Sequence, residues 1–323
     1  NSQVLPQLPL PYLLPLPNTF SLTTYPNWGC HSLTGFRREQ LGLLCNMNVL
    51  FSGSHDSMTF GLSRRSELAP DVPLAVRCLW PAFKGTIVRW SRTQEADTIQ
   101  QLRAGIRYFD LRFATKANTS ELYFTHALYA GEVTEQFNIF KDFLDSHPEE
   151  VIILDCQHFY EFKIEDHRRL LNILVSMFGM RMSPLQRDLE KITLRSLNQQ
   201  GQQVIVVYRN AAVASSGKCW RGGQMPTPWP RSATTRELLH FLMNLPRAPA
   251  SAFVVQAVIT PTAYTIVPRY MRQSSASRRF QCDIITILQA LVVLLLSFIA
   301  KNSMLFDSVL EFHCNKGVLC RAA

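Results

Sequence analysis

Glycine is scarce and without period, 14 of 323 residues, which excludes a collagen-like chain. None of the eight cysteines (30, 45, 78, 156, 219, 282, 314 and 320) falls in a Cys-x-x-Cys pair. A zinc ribbon, a thioredoxin-type redox pair and a disulfide framework are therefore not indicated. The chain also lacks a Gly-x-x-x-x-Gly-Lys-[Ser/Thr] loop, a zinc finger, an RNA-binding signature, a basic zipper and a repeat of 20–50 residues. These absences remove phosphate-loop nucleotide enzymes, the common nucleic-acid readers, solenoids and propellers.

What is present is an apolar, basic chain. A hydrophobic content of 47% with 11% aromatics supplies enough apolar surface to offset chain entropy, so the chain is not disordered as a whole. Lys and Arg number 33 against 24 Asp and Glu, a net charge of +9. Such a charge draws polyanions, whether nucleic acid, an anionic membrane or a phosphorylated substrate, or it marks a merely basic surface. The cations are scattered, as at Arg64 and Arg65, at Lys84, Arg89 and Arg92, and at Arg278 and Arg279. No nucleic-acid partner is expected. Cys156 lies in an apolar run and reads as a small core residue, which suits a reducing compartment.

The two ends differ from the middle. The chain opens on Asn, as an incomplete or processed chain does, and residues 4–17 hold five prolines among leucines. Proline denies that stretch a helix, and it lacks the positive start and unbroken apolar core of a signal peptide. Residues 1–40 are read as a Pro-rich segment without fixed structure, 41–300 as the folded unit and 301–323 as a tail. Within 284–300 there are 17 residues without a charge, at the lower limit for a membrane span. The alternative is a buried strand over 284–288 followed by a buried helix, and that is the expectation.

Between the ends, seven short apolar runs read as strands: 49–52, 106–113, 122–128, 151–156, 203–208, 253–259 and 284–288. Their continuity suits parallel strands covered on both faces. Val133, Phe137, Phe140 and Leu144 line one face of a helix over 132–146, which Pro148 closes. Leu170, Leu171, Leu174 and Phe178, and again Leu238, Leu239, Leu242 and Leu245, repeat the pattern. Alternating strands and helices argue for an α/β fold, and seven strands over about 250 residues favour a closed or nearly closed barrel.

In such a barrel the working residues emerge at strand carboxyl ends. The first run ends in Gly53-Ser54-His55-Asp56-Ser57, the second in Asp110-Leu111-Arg112, the third in His126 and the fourth in Asp155-Cys156-Gln157-His158. Alternation puts Asp110 and Arg112 on one face, and likewise Asp155 and Gln157. Two imidazoles, a guanidinium and carboxylates at one mouth form a phosphodiester-cleaving set. One neutral His removes a proton from a nucleophilic hydroxyl, and a protonated one supplies a proton to the leaving oxygen. The Arg fork stabilises charge on the phosphoryl oxygens.

These residues, with the stretches FSGSHDSMTF (51–60), QLRAGIRYFDLR (101–112), LYFTHALYAGEV (122–133) and EEVIILDCQHFY (149–160), resemble the X domain of phosphatidylinositol-specific phospholipase C. The small animal X-domain-only proteins are the nearest match. GQMPTPW (223–229) and VVQAVITPT (254–262) agree more loosely. The resemblance implies a distorted TIM (β/α) barrel of the phospholipase-C-like phosphodiesterase type, here with a shortened C-terminal portion. It implies that His55 is the general base, His126 the general acid, and Asp110 with Arg112 the pair at the phosphate. Asp56 follows the first His as in bacterial and X-domain-only members, and Asp155 and Gln157 stand as supporting or substrate-binding residues. Arg112 occupies a calcium-ligand place of the large signalling enzymes, so no metal and no other cofactor is implied. The implied partners are a phosphatidylinositol-like phospholipid and a peripheral membrane surface, and the implied location is cytoplasmic. The family's last strand carries an Asp that holds the first catalytic His; Leu288 stands there, and Asp283 is five positions too early. His55 is therefore expected to lack a partner and to lose basicity. A catalytically impaired phosphoinositide-binding protein and a membrane-anchored variant are the alternatives.

Overall fold

The computed structural model describes residues 51–189, 192–211, 217–245 and 252–260. Their order is β1 (Ser52–Ser54), α1 (Leu74–Ser91), α2 (Thr98–Arg103), β2 (Ile106–Thr115), β3 (Leu122–His126), β4 (Leu128–Glu132), α3 (Val133–Ser146), β5 (Ile152–Tyr160), α4 (Ile164–Phe178), α5 (Leu194–Gln199), β6 (Val204–Tyr208), β7 (Trp220–Arg221) and α6 (Thr235–Met243). The strands form one sheet in the order β4-β3-β2-β5-β6-β7, with β1 also on β2.

β2 is the central strand because its sequence serves two layers. Phe109, Leu111 and Phe113 face outward and pack with Leu154 and Cys156 of β5, Phe137 and Phe140 of α3 and Leu170 and Leu174 of α4. Tyr108 faces inward with Ile153, Ile205, Val207 and Trp220. Asp110 and Arg112 share that inner face by alternation. Gly53 lets β1 lie against this layer, since a Cβ there would stand 2.7 Å from a ring carbon of Tyr108. The helices start where side chains satisfy the free backbone donors. The Glu132 carboxylate accepts from the amides of Thr134 and Glu135 at the head of α3, and Asp97 and Gln100 form a reciprocal cap on α2.

Three sequence expectations change. The run over 122–128 is two antiparallel strands rather than one parallel strand: β3 runs antiparallel to β2, and β4 to β3. Ala127, at φ 60°, makes the break, and Asp71 holds it by accepting from the Ala127 amide at 2.6 Å and the Thr125 hydroxyl at 2.8 Å. The run at 253–259 joins no ladder. Its neighbourhood makes two backbone bonds, Val254 N–H to Pro226 O and Thr260 N–H to Ser232 O, while Ala257 and Ile259 pack on Leu238 and Leu242 of α6. Third, α1 was not foreseen, because Pro81 interrupts its pattern. Phe83 takes a non-helical φ of −122° two residues later, at a kink within α1.

The architecture is α/β with a mixed sheet. Among the described residues no ladder joins β7 to β1 or β4. The segments 1–40, 284–300 and 301–323, with Asp283 and Leu288, lie outside the described residues. Among the described residues no helix is long and apolar enough to cross a membrane.

Candidate active site

The first strand end supplies His55 and Asp56 on a bend that its neighbours fix. The Ser57 amide donates to Asp110 O at 2.8 Å, and the Asp56 carbonyl accepts from the Thr93 hydroxyl at 2.9 Å and from the Gln94 amide at 3.2 Å. Gln94 also donates to the His55 carbonyl. Asp56 lies at φ 44°, a left-handed conformation that Asp tolerates better than most residues.

His55 is held on both sides. Its Nδ1 is 2.8 Å from Asp110 Oδ2, and its Nε2 is 3.2 Å from Asp56 Oδ2. His126 reaches the same place from β3. Its Nε2 also lies 3.2 Å from Asp56 Oδ2, and its Nδ1 is 2.9 Å from the Ser91 carbonyl at the end of α1. Although β3 is antiparallel, its carboxyl end still arrives at the mouth, because β3 pairs with the last residues of β2, Phe113 to Phe124 and Thr115 to Leu122. Arg112 Nε meets the other oxygen of Asp56, and Arg112 Nη2 stands 3.8 Å from Asp110 Oδ2. The structure thus brings His55, Asp56, Asp110, Arg112 and His126 together around one carboxylate.

Asp155 and Gln157 form a separate, deeper cluster. Asp155 is fully buried and is gripped by Arg209, Nε to Oδ1 at 2.8 Å and Nη2 to Oδ2 at 2.7 Å. The Tyr108 hydroxyl donates to Asp155 Oδ2 at 2.7 Å, and Gln157 donates to that hydroxyl at 3.1 Å. Arg209 also donates to the carbonyls of Gly222 and Met225. Asp155 therefore braces the floor, and its carboxylate is already fully engaged.

The electrostatics follow from burial against charge. Burial works against a charged His55, but hydrogen bonds to Asp110 and Asp56 and the charges of both reverse that and raise it from 6.5 to about 9. This corrects the expectation of an unpartnered, less basic His55: Asp110 stands at Nδ1. Burial would raise Asp56, but His55, then His126 and Arg112, lower it to about 2. His158 is lowered, by burial first and then by the charge of Arg112.

His55, Asp56 and Asp110 each offer a ligand atom within 4.8 Å of the others. Arg112 already stands against two of these carboxylates, so a divalent ion added there would face a fixed positive charge.

Sequence reasoning missed Arg209, Tyr108, Trp229 and the placement of His158. Arg209 follows β6 directly and was open to the strand-end rule. Tyr108 alternates with Asp110. His158 pairs with Arg112 because the β2–β5 register slips at Leu111, which alternation cannot reveal. Trp229, whose ring lies 5.2 Å from that of His55, closes the GQMPTPW stretch on a loop, where neither periodicity nor the strand-end rule gives it a place at the site.

No family model matches the chain. It is 34% identical over 230 residues to human PI-PLC X domain-containing protein 3, covering 68% of this chain and 71% of that protein. It is 35% identical over 226 residues to mouse PI-PLC X domain-containing protein 2, covering 68% and 66%. Among solved structures, the phosphatidylinositol-specific phospholipase C of Listeria monocytogenes is similar at a TM-score of 0.48 and 18% identity, over 77% of this chain and 87% of that one.

Proposed function

The chain belongs to the family of PI-PLC X domain-containing proteins, and from that premise we propose that it is a phosphoric diester hydrolase of the phosphatidylinositol-specific phospholipase C type, acting without calcium. The observation that carries this reading is the pair of imidazoles whose Nε2 atoms flank one oxygen position at 3.2 Å each, with Arg112 beside it. A phosphodiester placed there would have a base on one side, an acid on the other and a cation on its oxygens. Asp110 at Nδ1 leaves His55 Nε2 to take the proton of a head-group hydroxyl. That oxygen attacks phosphorus, and Arg112 offsets the charge gathering on the phosphoryl oxygens. With Nδ1–H given to the Ser91 carbonyl, His126 in its protonated form donates from Nε2 to the departing glycerol oxygen. The reading extends to a distorted (β/α) barrel.

A lipid substrate calls for a membrane surface beside the mouth. α1, which ends at Ser91 next to His126, exposes Leu74, Leu79, Phe83 and Trp90 together with Arg77, Lys84 and Arg89, and holds no acidic residue. Apolar side chains ringed by cations suit an anionic interface.

The test is release of the phosphorylated head group from phosphatidylinositol vesicles with and without a calcium chelator. Turnover should persist with chelator and fall by about 100-fold or more in His55→Ala and His126→Ala. Binding without turnover would favour the catalytically impaired alternative, which the high basicity of His55 supports: a ring charged at neutral pH is a poor base.

A further inference from the structure

Residues 91–94, at the end of α1, touch both histidines of the site. The Ser91 carbonyl lies 2.9 Å from Nδ1 of His126. The Gln94 carboxamide donates to the carbonyl of His55 and to that of Asp56 at 3.2 Å. Between them, the Thr93 hydroxyl donates to the Asp56 carbonyl at 2.9 Å, and Arg92 donates to the Leu62 carbonyl. The oxygen of the Gln94 carboxamide accepts from the Thr59 hydroxyl at 3.1 Å and the Thr59 amide at 3.3 Å. One side chain thus ties His55 and Asp56 to Thr59, a fully buried residue, across a bend. The bend calls for such a tie. Asp56 and Met58 stand at φ 44° and 76°, and left-handed backbone at residues other than glycine persists only where its surroundings hold it. A carboxamide serves both sides because it donates and accepts.

We propose that Gln94 is a positioning residue of the two-histidine site: it ties the bend that carries His55 to the segment that holds His126, and so sets where His55 stands against His126 and Asp110. Only its kinetic consequence rests on the phosphodiesterase reading; the placement of His55 is read without turnover. Gln94 acts through the main chain, since its bonds go to the carbonyls of His55 and Asp56 and to Thr59. From the other side the bend is held by the Ser57 amide, which donates to Asp110 O at 2.8 Å. With both ties in place His55 Nδ1 stands 2.8 Å from Asp110 Oδ2. Releasing one lets the ring draw away from that carboxylate, and a hydrogen bond weakens steeply as its geometry is lost. The same chemistry recurs at the opposite end of the sheet. There the Gln203 carboxamide, just ahead of β6, donates to the carbonyls of His147 at 2.9 Å, Glu150 at 3.3 Å and Leu144 at 3.4 Å. Gln203 is buried like the strand it precedes and touches no residue of the site, which makes it the matched control.

The experiment compares the wild type with Gln94→Met and Gln203→Met, each of which removes a carboxamide and keeps an unbranched side chain. It follows the His55 imidazole by NMR titration and turnover on phosphatidylinositol vesicles. Burial alone would lower His55, and Asp110 and Asp56 hold it up at about 9. In Gln94→Met its titration should fall by about one unit or more. The kcat at the top of the pH profile should fall at least about tenfold, with KM within about twofold of the wild type. Gln203→Met should lower the denaturation midpoint and leave both readouts at wild-type values. An unchanged His55 titration in Gln94→Met overturns the proposal, as does the same change in Gln203→Met. Thr93→Val, which removes one donor to the same bend, is the second variant if Gln94→Met does not fold, and a smaller shift in the same direction is required of it. Absence of turnover in the wild type would sink the phosphodiesterase reading, and the titration would still decide this one.

Discussion

At the scale of single residues, the charge on His55 enters both the proposed chemistry and the stability. Its imidazole is raised from 6.5 to about 9, so the neutral base is the minor form at neutral pH. Because the proposed chemistry needs His55 neutral and His126 protonated, turnover should follow a bell-shaped pH profile whose acid limb depends on His55; an acid limb unchanged in the residual activity of His55→Ala would remove His55 as the base. The sign for stability is opposite. A group raised on folding contributes fully below its unfolded value and loses that contribution as pH rises through the folded one. Denaturation midpoints of the wild type and His55→Ala should therefore differ most below about 6.5 and converge as pH passes about 9. Arg112→Lys keeps the charge and loses the planar fork, and should still lower turnover by about tenfold or more.

At the scale of elements, the site depends on how β3 and β4 turn. Asp71 accepts from the Thr125 hydroxyl and the Ala127 amide, which fixes the turn that follows His126. Asp71→Ala should cost about 1–3 kcal/mol by leaving those donors unmet and should lower turnover more than substrate affinity, as kinetics on folded protein would show. At the opposite end of β2, Arg107 Nε and Glu150 Oε2 make a buried pair at 2.8 Å. Glu150→Ala strands the Arg charge and should cost about 3–5 kcal/mol in urea unfolding, with little change in the pH profile of the protein that remains folded.

At the scale of the whole molecule, the proposed chemistry and the proposed membrane approach meet at one rim. α1 brings Trp90 and Arg89 to the surface next to the Ser91 carbonyl that holds His126, and Trp229 covers His55 from the loop after β7. Cosedimentation with phosphatidylserine-containing vesicles should exceed that with neutral vesicles, fall with salt, and weaken severalfold in Leu79→Ala/Trp90→Ala. Equal binding to both vesicle types would remove α1 as the docking element.

The sequence by itself determined the α/β class, α3, α4 and α6, and the inner-face placement of Asp110 and Arg112, because these follow from periods of 3.6 and 2 that local chain geometry imposes. It also named His55, Asp56, Asp110, Arg112 and His126, since strand ends bounded by apolar runs are visible without coordinates. Tertiary structure decided the rest. The antiparallel course of β3 depends on a left-handed Ala127 held by a distant Asp71. The register slip that brings His158 beside Arg112 depends on pairing between β2 and β5. Which carboxylate reaches which imidazole depends on distances between strands far apart in the chain. Asp110 at His55 Nδ1 and Asp56 at His126 Nε2 are contacts between different strand ends, and no periodicity along one strand encodes them.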